Sequence, residues 1–166
     1  MKKMIISSAI FMVTVLSIGS GRAQTAGSPF SSILDNYYEI KNALVAGDAA
    51  KAAKSAAAFN SAVSALDNKT VSAAESTVFK SVQTGLLTDS KTIAASTDVS
   101  KQRETFSKLS QNMITLAKGV KLSAQPVYVD YCPMKKSSWL SSEQAIKNPY
   151  YGSSMLSCGK ITDTLK

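Results

Sequence analysis

From Ile33 onward apolar residues recur at alternating spacings of four and three, and Ile33, Tyr37, Ile40 and Leu44 make the first such stripe. That is the period of one helix face. Ser28-Pro29 reads as an N-cap with proline at the first helical position, and Gly47 as the stop. Asp48 caps a second, alanine-rich helix with Ala52, Ala56, Phe59, Val63 and Leu66 on one face. Asp67-Asn68-Lys69-Thr70 interrupts the pattern before a third helix that ends near Ala95, with Phe79, Val82, Leu86 and Ile93 inward. Gly85 and the poor helix formers Thr88-Asp89-Ser90 weaken its centre and leave open whether the helix kinks or breaks there. Thr97-Asp98 caps a fourth helix, in which Val99, Phe106, Leu109, Met113, Leu116 and Val120 form the cleanest stripe. Connections of a few residues force consecutive helices to alternate in direction. The expected fold is mainly α, an up-down-up-down four-helix bundle with Tyr37, Phe59, Phe79, Phe106 and Met113 in its core.

After Lys121 the period changes. Gln125-Pro126 ends helical character, and Val127, Val129 and Tyr131 alternate with Tyr128, Asp130 and Cys132 as in an extended strand. Gly159 to Leu165 predicts a second extended piece returning beside it, a short two-stranded pairing. Between them lies an irregular segment with Trp139 and Asn148-Pro149-Tyr150-Tyr151-Gly152. Ser141-Ser142-Glu143 predicts one helical turn through Ile146. Such a segment cannot form a core alone, so it is expected to pack at one end of the bundle through Trp139 and the two tyrosines.

The first 23 residues read differently. Lys2 and Lys3 precede an apolar run from Met4 to Ile18, and Gly21-Arg22-Ala23 is a small-residue cleavage site, the pattern of a secretory signal peptide. The run is shorter than the roughly 20 residues of a spanning helix. Residues 24–30 are expected to be a linker and 31–166 a single domain, exported to the periplasm. The 19 Lys and Arg against 11 Asp and Glu give +8, and without Lys2, Lys3 and Arg22 the chain from Gln24 carries +5. These lysines are spread over several segments, whereas nucleic-acid binders concentrate theirs on one face, so no nucleic acid is expected.

Histidine is absent, and the only two cysteines share the C-terminal segment with two of the six methionines. In an extended strand residues two apart share a face, so Cys132 and Met134 would aim at one point. A helical turn over Ser153 to Cys158 would place Met155 and Cys158 on one face. Thiolate plus thioether is a soft donor set that favours Cu(I), and zinc sites recruit more thiolates or histidines. The candidate metal ligands are Cys132, Met134, Met155 and Cys158. A Cys132–Cys158 disulfide is the competing expectation for an exported chain. It would staple the segment as a structural or interaction domain and contribute roughly 3 kcal/mol. An enzyme is not expected: a nucleophilic cysteine needs a base, and no paired-carboxylate, Walker or dinucleotide signature is present.

The run Cys132-Pro133-Met134 through Leu140, followed by Ile146-Lys147-Asn148-Pro149-Tyr150-Tyr151-Gly152 and Met155-Leu156-Ser157-Cys158-Gly159, resembles the domain of unknown function 3347. That family comprises exported Bacteroidetes proteins and the C-termini of some heavy-metal efflux adaptor subunits. The resemblance runs from about Phe30, with its specific motifs in the C-terminal block. It implies a helical domain connected with export of copper and related soft metals. Within it Cys132, Met134, Met155 and Cys158 would be the ligands, scaffolded by Trp139, Asn148, Pro149, Tyr150, Tyr151 and Gly152. An efflux adaptor or other envelope protein would be the partner.

Overall fold

The computed structural model describes residues 28–166, so the expected signal peptide and the first part of the linker lie outside the described residues. Four helices come first: α1 Ser31–Ala46, α2 Ala49–Ala65, α3 Ala73–Ala95 and α4 Val99–Gly119. Three strands follow: β1 Val127–Cys132, β2 Ser137–Ser141 and β3 Lys160–Leu165. The protein is a four-helix bundle carrying a small C-terminal antiparallel sheet.

Local chemistry sets the helix ends. Asp48 accepts the Lys51 N–H at 2.8 Å to start α2, and Asp98 accepts the Ser100 N–H at 2.8 Å to start α4. Ser72 and Glu75 form a reciprocal capping box at the start of α3, leaving fewer of the first N–H groups unpaired. Gly47 ends α1 with φ 74°, where a side chain would be strained.

The start of α1 differs from the expected cap. The helix begins at Ser31, and its N-cap residue Phe30 makes no side-chain capping bond. Ser28 instead ties the helix entry to the end of the bundle, accepting the Phe30 N–H at 3.2 Å and donating to the Lys121 carbonyl at 2.6 Å. Phe30 is fully buried, 5.9 Å from the Phe79 ring. Docking this ring fixes the chain entry where sequence reading placed a polar cap.

Nor does α3 break at Gly85. A Cβ there would stand 2.5 Å from Asn112 Nδ2, so the glycine lets α4 approach closely. The weak helix formers beyond it are used across the interface: Asn60 of α2 donates to the Leu87 carbonyl at 2.9 Å and to Ser90 Oγ at 2.8 Å. Packing and these bonds outweigh the loss of intrinsic propensity.

Consecutive helices pack on one another. The core runs through all four stripes, with Tyr37, Phe59, Phe79, Phe106 and Met113 fully buried. Leu66 and Val99, at stripe ends, are only partly buried. First and fourth helices meet through side chains: Tyr37 stacks on Phe106 at 5.2 Å and pairs with Ser110 Oγ at 2.7 Å.

The strand order is β2-β1-β3. The third strand, β2, lies within the stretch read as irregular, and its Trp139 and Leu140 are both buried. Successive strand residues point to opposite faces, so burial of both Trp139 and Leu140 means both faces are covered there, which hides the period-two signal of a half-buried strand. The expected helical turn over Ser141–Ile146 is absent; Ser141 Oγ accepts the Glu143 N–H at 3.1 Å and holds a bend. β2 packs on α4, and Tyr37 Oη accepts the Leu140 N–H at 3.0 Å. Tyr150 reaches Phe106 on one side, 6.1 Å between rings, and Trp139 edge-on at 5.7 Å on the other. The C-terminal segment is thereby seated on α1 and α4. Among the described residues no helix is long and apolar enough to cross a membrane.

Candidate metal centre

Cys132 is the last residue of β1, opposite Ser137 of β2. The chain then turns through Pro133, Met134, Lys135 and Lys136, with Lys136 in the left-handed region at φ 53°. This turn aims the Lys135 N–H at Cys132 Sγ, 3.4 Å away. Cys132 is fully buried.

Cys158 arrives on a loop that Asn148 closes. The buried Asn148 donates from Nδ2 to the Cys158 carbonyl at 2.6 Å and from its backbone N–H to the Leu156 carbonyl at 2.8 Å. Its Oδ1 accepts the N–H groups of Tyr150 at 2.8 Å and Tyr151 at 3.3 Å. Its carbonyl accepts the Gly152 N–H at 3.0 Å. Gly152 has φ 57°, and a Cβ on it would collide with the Arg103 guanidinium. Gly159 lies over Trp139, where a Cβ would come within 2.9 Å of the indole. The loop therefore seats Cys158 beside the strand end, and the two sulfurs are 3.7 Å apart as free thiols.

The thiols are electrostatically unequal. Burial pushes the Cys132 thiol up, but the Lys135 N–H, the Asn148 amide, Cys158 and the Met134 N–H outweigh it and hold Cys132 below the ordinary thiol value. Cys158 is raised, first by its hydrogen bond to Cys132, then by burial and by the charge on Cys132. Two sulfurs each about 2.3 Å from one tetrahedral metal ion stand roughly 3.8 Å apart, close to the spacing found here.

The structure brings together Cys132 and Cys158 and leaves the methionines at the rim. Met134 is 64% exposed and Met155 42% exposed. The strand ends at Cys132, so Met134 lies in the turn, and the same-face argument for residues two apart does not apply to it. Gly152–Met155 is a short 3-10 turn, and Cys158 follows through an N–H bond to the Met155 carbonyl at 3.1 Å. Among the described residues no three Cys, Asp or Glu side chains gather as a metal cluster.

Two buried charges beside this segment escaped sequence reading. Asp130 shares a face of β1 with Cys132, two residues on, and is fully buried with neither carboxylate oxygen hydrogen-bonded. Burial pushes its carboxyl up to about 6, with Lys41 pulling the other way. Lys41 of α1 is also buried, which lowers its amine; Glu143 and Asp130 oppose that shift and Lys147 adds to it. An acid in an alternating strand and a lysine four residues after Tyr37 were the available signals.

Fold and site together define a helical-bundle protein with a C-terminal dithiol. The sequence profile of the family described as "Protein of unknown function (DUF3347)" matches residues 33–125, more than half of the chain, and the chain belongs to that family. The match covers the four helices and ends before Cys132, so none of the four sulfur residues falls within it. Comparison with curated proteins and with solved structures finds no match.

Proposed function

We propose that this is an exported, periplasmic soft-metal-binding module that takes a Cu(I)-type ion between Cys132 and Cys158 and serves heavy-metal handling or efflux. The observation that carries the reading is the 3.7 Å approach of two free thiols in a protein without histidine. Soft thiolates select Cu(I) and leave little for Mg or Ca. Met134 and Met155 flank the pair, and their exposed thioethers are free to turn onto an ion held there or onto a partner such as an efflux adaptor.

Anaerobic titration of the reduced chain from Gln24 with Cu(I), against a competing chelator, tests this reading. Wild-type protein is expected to take one ion, the Cys132→Ser, Cys158→Ser double variant none, and Met134→Leu and Met155→Leu to bind more weakly. Equal affinity of wild type and the double cysteine variant overturns the proposal. The same 3.7 Å spacing also supports a second reading, a disulfide that staples the segment.

A further inference from the structure

Access to the two sulfurs differs sharply. Cys132 is enclosed by β1, the Asn148 loop and the Pro133–Lys136 turn and has no exposed surface. Cys158 is partly exposed, and the residues before it, Ser153 to Ser157, are all exposed. Of the two cysteines only Cys158 has exposed surface, so a thiol in solution meets Cys158 first. Closing the 3.7 Å gap to a bond of about 2.05 Å requires the sulfurs to approach by roughly 1.6 Å, within the range of side-chain rotation.

Departure is asymmetric in the same sense. Thiol–disulfide exchange proceeds fastest when the attacked sulfur is accessible and the other leaves as a stabilised thiolate. The Lys135 N–H, 3.4 Å from Cys132 Sγ, is already placed to receive that charge. A disulfide with one accessible sulfur is the more readily reduced kind, whereas one shielded at both sulfurs resists exchange.

We infer that Cys132 and Cys158 are a reversible dithiol–disulfide site for low-molecular-weight thiols and disulfides, with Cys158 the attacked sulfur and Cys132 the leaving one. In reduction, an external thiolate attacks Cys158 Sγ, a bond forms between them, and the Cys158–Cys132 bond breaks with its electron pair going to Cys132, which takes up a proton. A second external thiolate then attacks the external sulfur of the mixed disulfide and releases Cys158, yielding one small disulfide. In oxidation, one small disulfide accepts two electrons and two protons from the two thiols and leaves as two small thiols. The inference does not rest on the metal reading. The oxidised pair has no thiolate to offer an ion, so exchange would switch any metal site off.

Metal-free protein and glutathione test it. Oxidised glutathione is expected to convert the reduced wild type to an intramolecular disulfide. Reduced glutathione is expected to reverse this without denaturant while the fluorescence of the single tryptophan, Trp139, stays native. Alkylation and peptide mass mapping should find trapped glutathione on Cys158. Because Cys132 has no exposed surface, Cys158 (Cys132→Ser) is expected to react with oxidised glutathione at least about tenfold faster than Cys132 (Cys158→Ser). A disulfide that reduces only after unfolding, no disulfide at all, or equal rates at the two cysteines overturns the inference. Failure of Cu(I) binding leaves these outcomes untouched.

Discussion

The helical bundle and the C-terminal segment are held by different forces. Residues 31–119 bury aromatic and branched aliphatic side chains along four continuous stripes, with polar groups at the helix ends and a few interhelical bonds from Tyr37 and Asn60. Residues 127–166 form a three-stranded sheet whose β3 is mostly exposed. There the order comes from Trp139, Tyr150 and the bonds converging on Asn148. Apolar burial is non-directional and tolerates small shifts, whereas hydrogen bonds set atoms within a few tenths of an ångström. The bundle is built to be stable, the segment to place two sulfurs.

That contrast predicts separable responses, because the single tryptophan, Trp139, reports on the segment and far-ultraviolet circular dichroism on the helices. Phe106→Ala should have the largest effect, a loss of about 4 kcal/mol. Phe106 contacts both Tyr37 and Tyr150, so both signals should shift together in urea unfolding. A tryptophan transition that stays in place would show the segment to be independent of the bundle. Asn148→Ala should cost about 3 kcal/mol by orphaning buried backbone groups, and here the tryptophan transition alone should move. Coincident shifts of both signals would make the two regions one cooperative unit.

A smaller effect comes from Asp130. Its folded value near 6 lies above the unfolded value of roughly 3.9. The folded state therefore binds this proton more tightly, and its contribution is fully present below about pH 4 and lost as pH rises through about 6. Relative to Asp130→Asn, wild type should lose about 2 kcal/mol between those limits, measured as the difference in urea stability at each pH. Equal pH dependence in both proteins removes Asp130 from the account. Ser72→Ala should have the smallest effect, about 1 kcal/mol through loss of the capping box, with the helical signal alone moving.

Legibility follows the same division. The helical stripes and the caps at Asp48 and Asp98 were readable because a period of 3.6 and a capping side chain are local properties of the chain. Gly85 left the continuity of α3 open, because propensity cannot register that Asn112 of another helix packs against it. At the site, the cysteine pair was legible from cysteine count alone. The placement of the methionines was not, since it depended on where β1 stops and the turn begins.

By itself, the sequence determined four amphipathic helices, an extended C-terminal segment and the sulfur inventory of a chain without histidine, because composition and periodicity are carried by neighbouring residues. Tertiary structure alone decided that β2 exists and that Asp130 is buried. It also decided that a loop closed by Asn148 brings Cys158 to 3.7 Å from Cys132 while Met134 and Met155 face outward. These outcomes depend on contacts between residues far apart in the chain, and no local pattern encodes such a distance.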